Sequence, residues 1–131
     1  MVPPLLSERG RAAQLALAVA APIAFGAIVG LLLGRSASAY TLLSLLAIVG
    51  GIAAGYDHDG APAGARRGVF GGLLFGAAII VAHEIDGSEA KADLPDPAIL
   101  LVVVTSGAGT LLGALGGWLR GRRERRLRDR G

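Results

Sequence analysis

His83-Glu84 and Asp57-His58-Asp59 hold both histidines of the chain, each beside a carboxylate. A histidine next to an acid can titrate near neutral pH or offer a weak metal site. On a helix, however, consecutive residues point to different faces, so His83 and Glu84 do not converge on one ion. Ordinary interfacial polarity is the expected role of that pair. Asp57-His58-Asp59-Gly60 begins like a calcium loop but lacks the later ligands of an EF-hand, and it reads as a turn. Thr105, Ser106 and Thr110 form the other polar group. Such hydroxyls can bond across helices, line a narrow polar path, or bond back to their own helix, and the last is the commonest. With no Cys in the chain, disulfides, thiolate metal sites and cysteine nucleophiles are excluded. No Ser-His-Asp set, P-loop or embedded acid pair can be assembled. The expectation is a protein that is not an enzyme and needs neither metal nor cofactor.

These residues are spread among four uncharged stretches, Ala12 to Gly34, Ser36 to Tyr56, Gly68 to His83 and Pro97 to Leu119. The whole chain of 131 residues is 53 % hydrophobic and only 18 % charged, with 21 Gly. A helix of about 20 apolar residues spans a bilayer core of roughly 30 Å. The fold expected is all-α: an integral membrane bundle of four transmembrane helices with short loops, in the cell membrane. The spans are placed at 12–34, 36–56, 68–85 and 97–119, with an N-terminal segment at 1–11 and a basic tail at 120–131. The third span is short, because only 16 residues separate Arg67 from Glu84. Arg67 must then snorkel to the interface while the bilayer thins.

Charge placement predicts the orientation. With both termini cytoplasmic, 11 of the 13 basic residues lie inside, and only Arg35 and Lys91 lie outside. The reverse arrangement would translocate those 11 and violate the positive-inside rule. The third loop, with Glu84, Asp86, Glu89, Asp93 and Asp96 against Lys91, is then exoplasmic. Ser38 is a candidate cap for the second helix, and Asp96-Pro97 has the form of an N-cap followed by proline at the first helical position. Pro22 should kink the first helix by removing a backbone donor. Tyr40, Tyr56 and Trp118 fall at span ends, where amphipathic rings favour the interface. Ala37-Ser38-Ala39 resembles a signal-peptidase site, but the preceding apolar run has 23 residues. A signal core has about 7–15, so the four-span reading is kept.

Glycine spacing is the strongest pattern. Gly26, Gly30 and Gly34 lie on the first helix, and Gly51 and Gly55 on the second. Gly64 on the approach to the third helix continues into Gly68, Gly72 and Gly76 in its body, and Gly109, Gly113 and Gly117 run through the fourth. Four-residue steps put these glycines on one face, where they allow the close backbone approach on which helix association in lipid depends. Helices two and four both end in G-G-x-x-x-G, at Gly50-Gly51 to Gly55 and Gly116-Gly117 to Gly121, which raises the idea of a duplicated hairpin.

The run Gly50-Gly51-Ile52-Ala53-Ala54-Gly55-Tyr56, with Gly64-Ala65-Arg66-Arg67-Gly68 and Gly71-Gly72, resembles small glycine-rich four-helix membrane proteins of prokaryotes. The likeness covers helices two and three. It implies the architecture and transfers no functional residue. Fluoride channels are similar in size, but this chain has no Asn and no Thr-Thr-Phe-Ser run. Small multidrug transporters are similar in length, but their glutamate in the first helix has no counterpart here.

Abundant packing surface with scarce chemistry predicts a structural or accessory membrane protein, with the bilayer, another copy of itself or another membrane protein as partner. The alternative is a small pore, permease or holin-like permeabiliser, with Thr105, Ser106 and Thr110 on its path. A pH sensor built on His83 is a third idea. The tail carries seven Arg against Glu124 and Asp129. It is expected to anchor the last helix and to attract anionic headgroups. Nucleic acid is a poor partner for it, since no aromatic residue lies among the arginines to stack on bases.

Overall fold

The computed structural model describes residues 2–131, and the described residues are all-helical. Four helices are long and apolar enough to cross a membrane: α1 (Arg11–Leu33), α2 (Ala37–Tyr56), α3 (Gly60–Asp86) and α4 (Ile99–Arg128). A short 3-10 turn at Leu6–Glu8 precedes them.

Helix ends depart from the sequence expectations at several places, each with a local cause. Ser36, not Ser38, caps α2, its hydroxyl accepting from the Ala39 N–H at 3.2 Å. Asp96-Pro97 does not open α4: the peptide is cis, Ala98 is the N-cap and the helix starts at Ile99. The third helix starts at Gly60, two turns before the apolar run, so Arg66 and Arg67 are helical and the loop shrinks to residues 57–59. The helix has 27 residues in all, and the uncharged part between Arg67 and Glu84 keeps its 16. Gly60 enters the helix at φ 82° and Gly87 ends it at φ 70° with its N–H on the His83 carbonyl. Both are left-handed positions suited to glycine. The basic tail is helical, since α4 runs on without a break to Arg128.

Within α1 the α-helical ladder widens into a π-turn at Ala16–Ala20, just before Pro22. The Ala21 N–H bonds to the Ala16 carbonyl, so it is lost to Leu17. The next residue able to serve Leu17 in a π-turn is Pro22, which has no N–H. The Leu17 carbonyl is taken instead by Arg67 of α3, whose Nη2 donates to it at 2.8 Å.

Helices α3 and α4 share the most extensive contact and run antiparallel, with Gly64 opposite Gly113 and Gly72 opposite Thr105. Helix α1 lies alongside α3 in the same direction, Gly26 meeting Phe75 and Gly30 meeting Ile79. Helix α2 lies alongside α4, Gly51 meeting Leu112 and Gly55 meeting Gly113.

The two ends of the bundle are built differently. At one end Val29, Leu33, Ile79 and Leu101 form a small side-chain core, with Phe25 and Phe75 stacked beside it at 5.8 Å. The segment after α3 folds over this end: the Lys91 N–H bonds to the Leu33 carbonyl at 2.7 Å, and Ala90, Ala92 and Leu94 pack on the core. Arg35 pairs with Asp86 there at 2.9 Å. At the other end the N-terminal segment and the tail helix both close on the turn after α2. The Leu6 N–H bonds to the Asp57 carbonyl at 2.8 Å, and Arg9 pairs with the Asp57 carboxylate at 3.2 Å. Leu6, Arg9 and Arg120 therefore gather at the same end of the bundle, together with Arg66 and Arg67.

Candidate functional site

The most constructed feature of the molecule is the seam of glycines through its middle. Gly68 and Gly109 face each other reciprocally, so that a Cβ on either would fall on the carbonyl of the other. Gly64 and Gly113 repeat the relation one turn away. A Cβ at Gly72 would meet the Thr105 carbonyl and stand 2.9 Å from the Ser106 Cα, and one at Gly76 would meet the Thr105 hydroxyl. At these places backbone lies against backbone, the setting in which Cα–H···O contacts and dispersion act between helices.

The seam extends to the outer helices. A Cβ at Gly26 would stand 2.5 Å from the Phe75 carbonyl, and one at Gly30 would meet the Ile79 carbonyl. Gly34 lies against the Ser88 hydroxyl, beyond the helical contact. On the other side the Gly113 carbonyl is faced by both Gly55 and Gly64, so three helices converge on one residue. Gly51 meets only the Leu112 side chain, at 3.1 Å, which makes it the loosest member of the set.

One participant escapes a reading based on four-residue steps. Gly116 lies against Ile52 and Tyr56 of α2, while its neighbour Gly117 lies against Gly60 and Ala61 of α3. The doubled glycine lets α4 press on two helices at once, and the doubling itself is the signal in the sequence. Gly60 belongs to the seam through its carbonyl. Conversely, Gly50 and Gly107 have nothing within 4 Å of a built Cβ.

The polar candidates are dispersed. Thr105 donates to the Val102 carbonyl at 3.2 Å and Thr110 to the Ser106 carbonyl at 2.7 Å, both within α4. Ser106 is half-buried beside Gly72. His83 is half-buried in the last turn of α3, and its Nδ1 is buried with no hydrogen-bond partner among the described residues. Glu84 beside it is exposed. His58 lies at the opposite end of the bundle, its Nδ1–H donating to the Ala54 carbonyl at 3.0 Å. Among the described residues, no three His, Cys, Asp or Glu side chains come together as a metal site.

Arg120 is a site residue that tail composition alone did not single out. It is only 5 % exposed. Its Nε donates to Glu124 at 2.8 Å, its Nη1 donates to the Tyr56 carbonyl at 3.2 Å, and its guanidinium lies 5.9 Å from the Tyr56 ring. It thereby closes the C-terminal end of α2, where carbonyls lack helical donors. Arg123 reaches the Tyr56 hydroxyl at 3.4 Å, and Arg122 stacks on Trp118 at 4.8 Å. No protein-family model, curated protein or solved structure matches the chain.

Proposed function

We propose that the chain is a non-enzymatic, multi-pass protein of the cell membrane with both termini cytoplasmic. Its role is structural or accessory, exerted through a rigid glycine-packed bundle that associates with itself or with another membrane protein. The observation that carries this reading is the α3–α4 seam, where Thr105 contributes its backbone to close packing and both threonine hydroxyls of α4 turn back on their own helix. A pore or permease would need those groups aimed into a shared path. The charge distribution supports the orientation, since Arg9, Arg11, Arg66, Arg67 and the tail arginines gather at one end and Arg35 and Lys91 at the other. With Arg120 engaged by the bundle, the remaining tail arginines are the groups available to anionic headgroups.

Flux through proteoliposomes, measured beside protein-free vesicles, tests the role directly. The expected result is no protein-dependent leakage of small cations, anions or a dye, together with discrete adducts on crosslinking in the native membrane. Reproducible leakage that falls in a Thr105→Val/Ser106→Ala variant would replace this reading with the pore.

A further inference from the structure

The glycines of α1 that meet α3 end at Gly26. Leu17, Ala18 and Val19 occupy the following turns of α1, and the widened turn at Ala16–Ala20 shifts their register. An open groove of 480 Å³ results between α1 and α3. Val19, Phe70 and Leu74 form its apolar wall, while Arg66, Arg67 and His58 stand at its basic end. Phe70 is 67 % exposed, so the wall faces outward rather than into the bundle.

The charges at the mouth are only partly offset from within, Asp57 acting on Arg67 without an ion pair between them. Asp57 and Asp59 are the acids of the adjoining turn; Arg9 holds Asp57 at 3.2 Å, and Asp59 is exposed and makes no ion pair with either arginine. Arg67 gives one N–H to Leu17 and keeps its others. Arg66 has no ion-pair partner among the described residues. Although neighbours on a helix diverge, both arginines line this groove, one of them fixed by a backbone carbonyl, and a guanidinium fork suits a phosphate. From Arg66 to Leu74 the helix rises about 12 Å, the length of a substantial part of an acyl chain.

We propose that this groove is a binding site for one anionic phospholipid, its phosphate at Arg66 and Arg67 and an acyl chain along Val19, Phe70 and Leu74. The site is separate from the tail, and it rests on the reading that the helices span a membrane. Here a concave apolar wall ends in a cluster of cations near the end of the apolar run of α3. From Arg67 to Asp86 the helix rises about 28 Å, close to the thickness of a hydrocarbon core.

Native mass spectrometry of the detergent-purified chain with phosphatidylglycerol or phosphatidylcholine tests the site. The wild type should retain one phosphatidylglycerol in preference to phosphatidylcholine. Arg66→Gln should lower that retention about five-fold, the effect of one basic residue near a headgroup. Ala18→Phe, which fills the groove without changing charge, should lower it as well, whereas Arg125→Gln/Arg126→Gln should not. Equal retention of both lipids, an unaltered Arg66→Gln, loss in the tail variant, or displacement by excess inorganic phosphate would each overturn the proposal. Alkaline extraction of membranes separates the two readings. A chain that stays in the membrane but shows no lipid preference removes only the groove site. A chain that is released removes the membrane reading and the site with it.

Discussion

Gly68 and Gly109 lie in reciprocal contact across α3 and α4, each with its Cα face on the carbonyl of the other. No side chain separates the helices there, so the contact tolerates no added atom on either side. Gly109→Ala is expected to destabilise the bundle by about 1–3 kcal/mol, the usual range for overpacking. Two residues earlier on the same helix, Gly107 has open space around it, and Gly107→Ala should be neutral or mildly stabilising. Denaturant unfolding in mild detergent distinguishes the pair, and equal effects would show that packing is not the cause. Gly72→Leu and Gly113→Leu should disrupt the fold more severely, because each adds a branched side chain against backbone.

That contrast also marks how far the sequence could be read. Apolar runs and four-residue glycine steps were enough for four helices and for most of the seam, since both properties are local. The start of α3 was not legible. Asp57 to Gly64 contains Pro62 and two glycines and has the composition of a turn, yet Gly60 and Gly64 are drawn into the helix by packing against Gly117 and Gly113. The Asp96-Pro97 signal failed for the opposite reason. A sound local capping pattern is followed by a helix that begins only at Ile99. For His83 and Glu84, the expectation that neighbours on a helix diverge agrees with one being half-buried and the other exposed.

Arg120 should matter more to stability than any other residue of the tail. Its removal strips a donor from the Tyr56 carbonyl and uncovers Glu124, which is itself partly exposed. Arg120→Met is expected to lower stability by about 1–3 kcal/mol, chiefly through the part-buried carbonyl left without this donor. Arg125→Met, on the exposed tail helix, should change it by less than about 0.5 kcal/mol. Lysine at 120 should rescue only part of the loss, because a single ammonium cannot reproduce the guanidinium fork. Comparing the three unfolding midpoints checks the assignment.

Orientation can be tested with thiols, because the chain has no Cys of its own. Ser7→Cys and Arg130→Cys should react with a membrane-impermeant maleimide only after the cells are opened. Glu89→Cys should react in intact cells. The same label reaching Ser7→Cys and Glu89→Cys in intact cells would contradict a bundle with its termini together on the inner side.

The Arg67–Leu17 bond joins residues fifty positions apart, and no local pattern announces it. Its origin is nevertheless in the sequence, at Pro22. With alanine at 22, a backbone N–H becomes available, the ladder can close as a regular α-helix, and the Leu17 carbonyl recovers a donor from its own helix. Arg67 then loses the partner that fixes it. Pro22→Ala and Arg67→Gln should therefore be strongly non-additive: Arg67→Gln destabilises the wild type by about 1 kcal/mol, as expected for one hydrogen bond, and has little further effect in Pro22→Ala. A double-mutant cycle on unfolding free energies reads the coupling directly. Simple additivity would mean that Arg67 is held by its surroundings in the groove, independently of the carbonyl that the proline leaves without a helical donor.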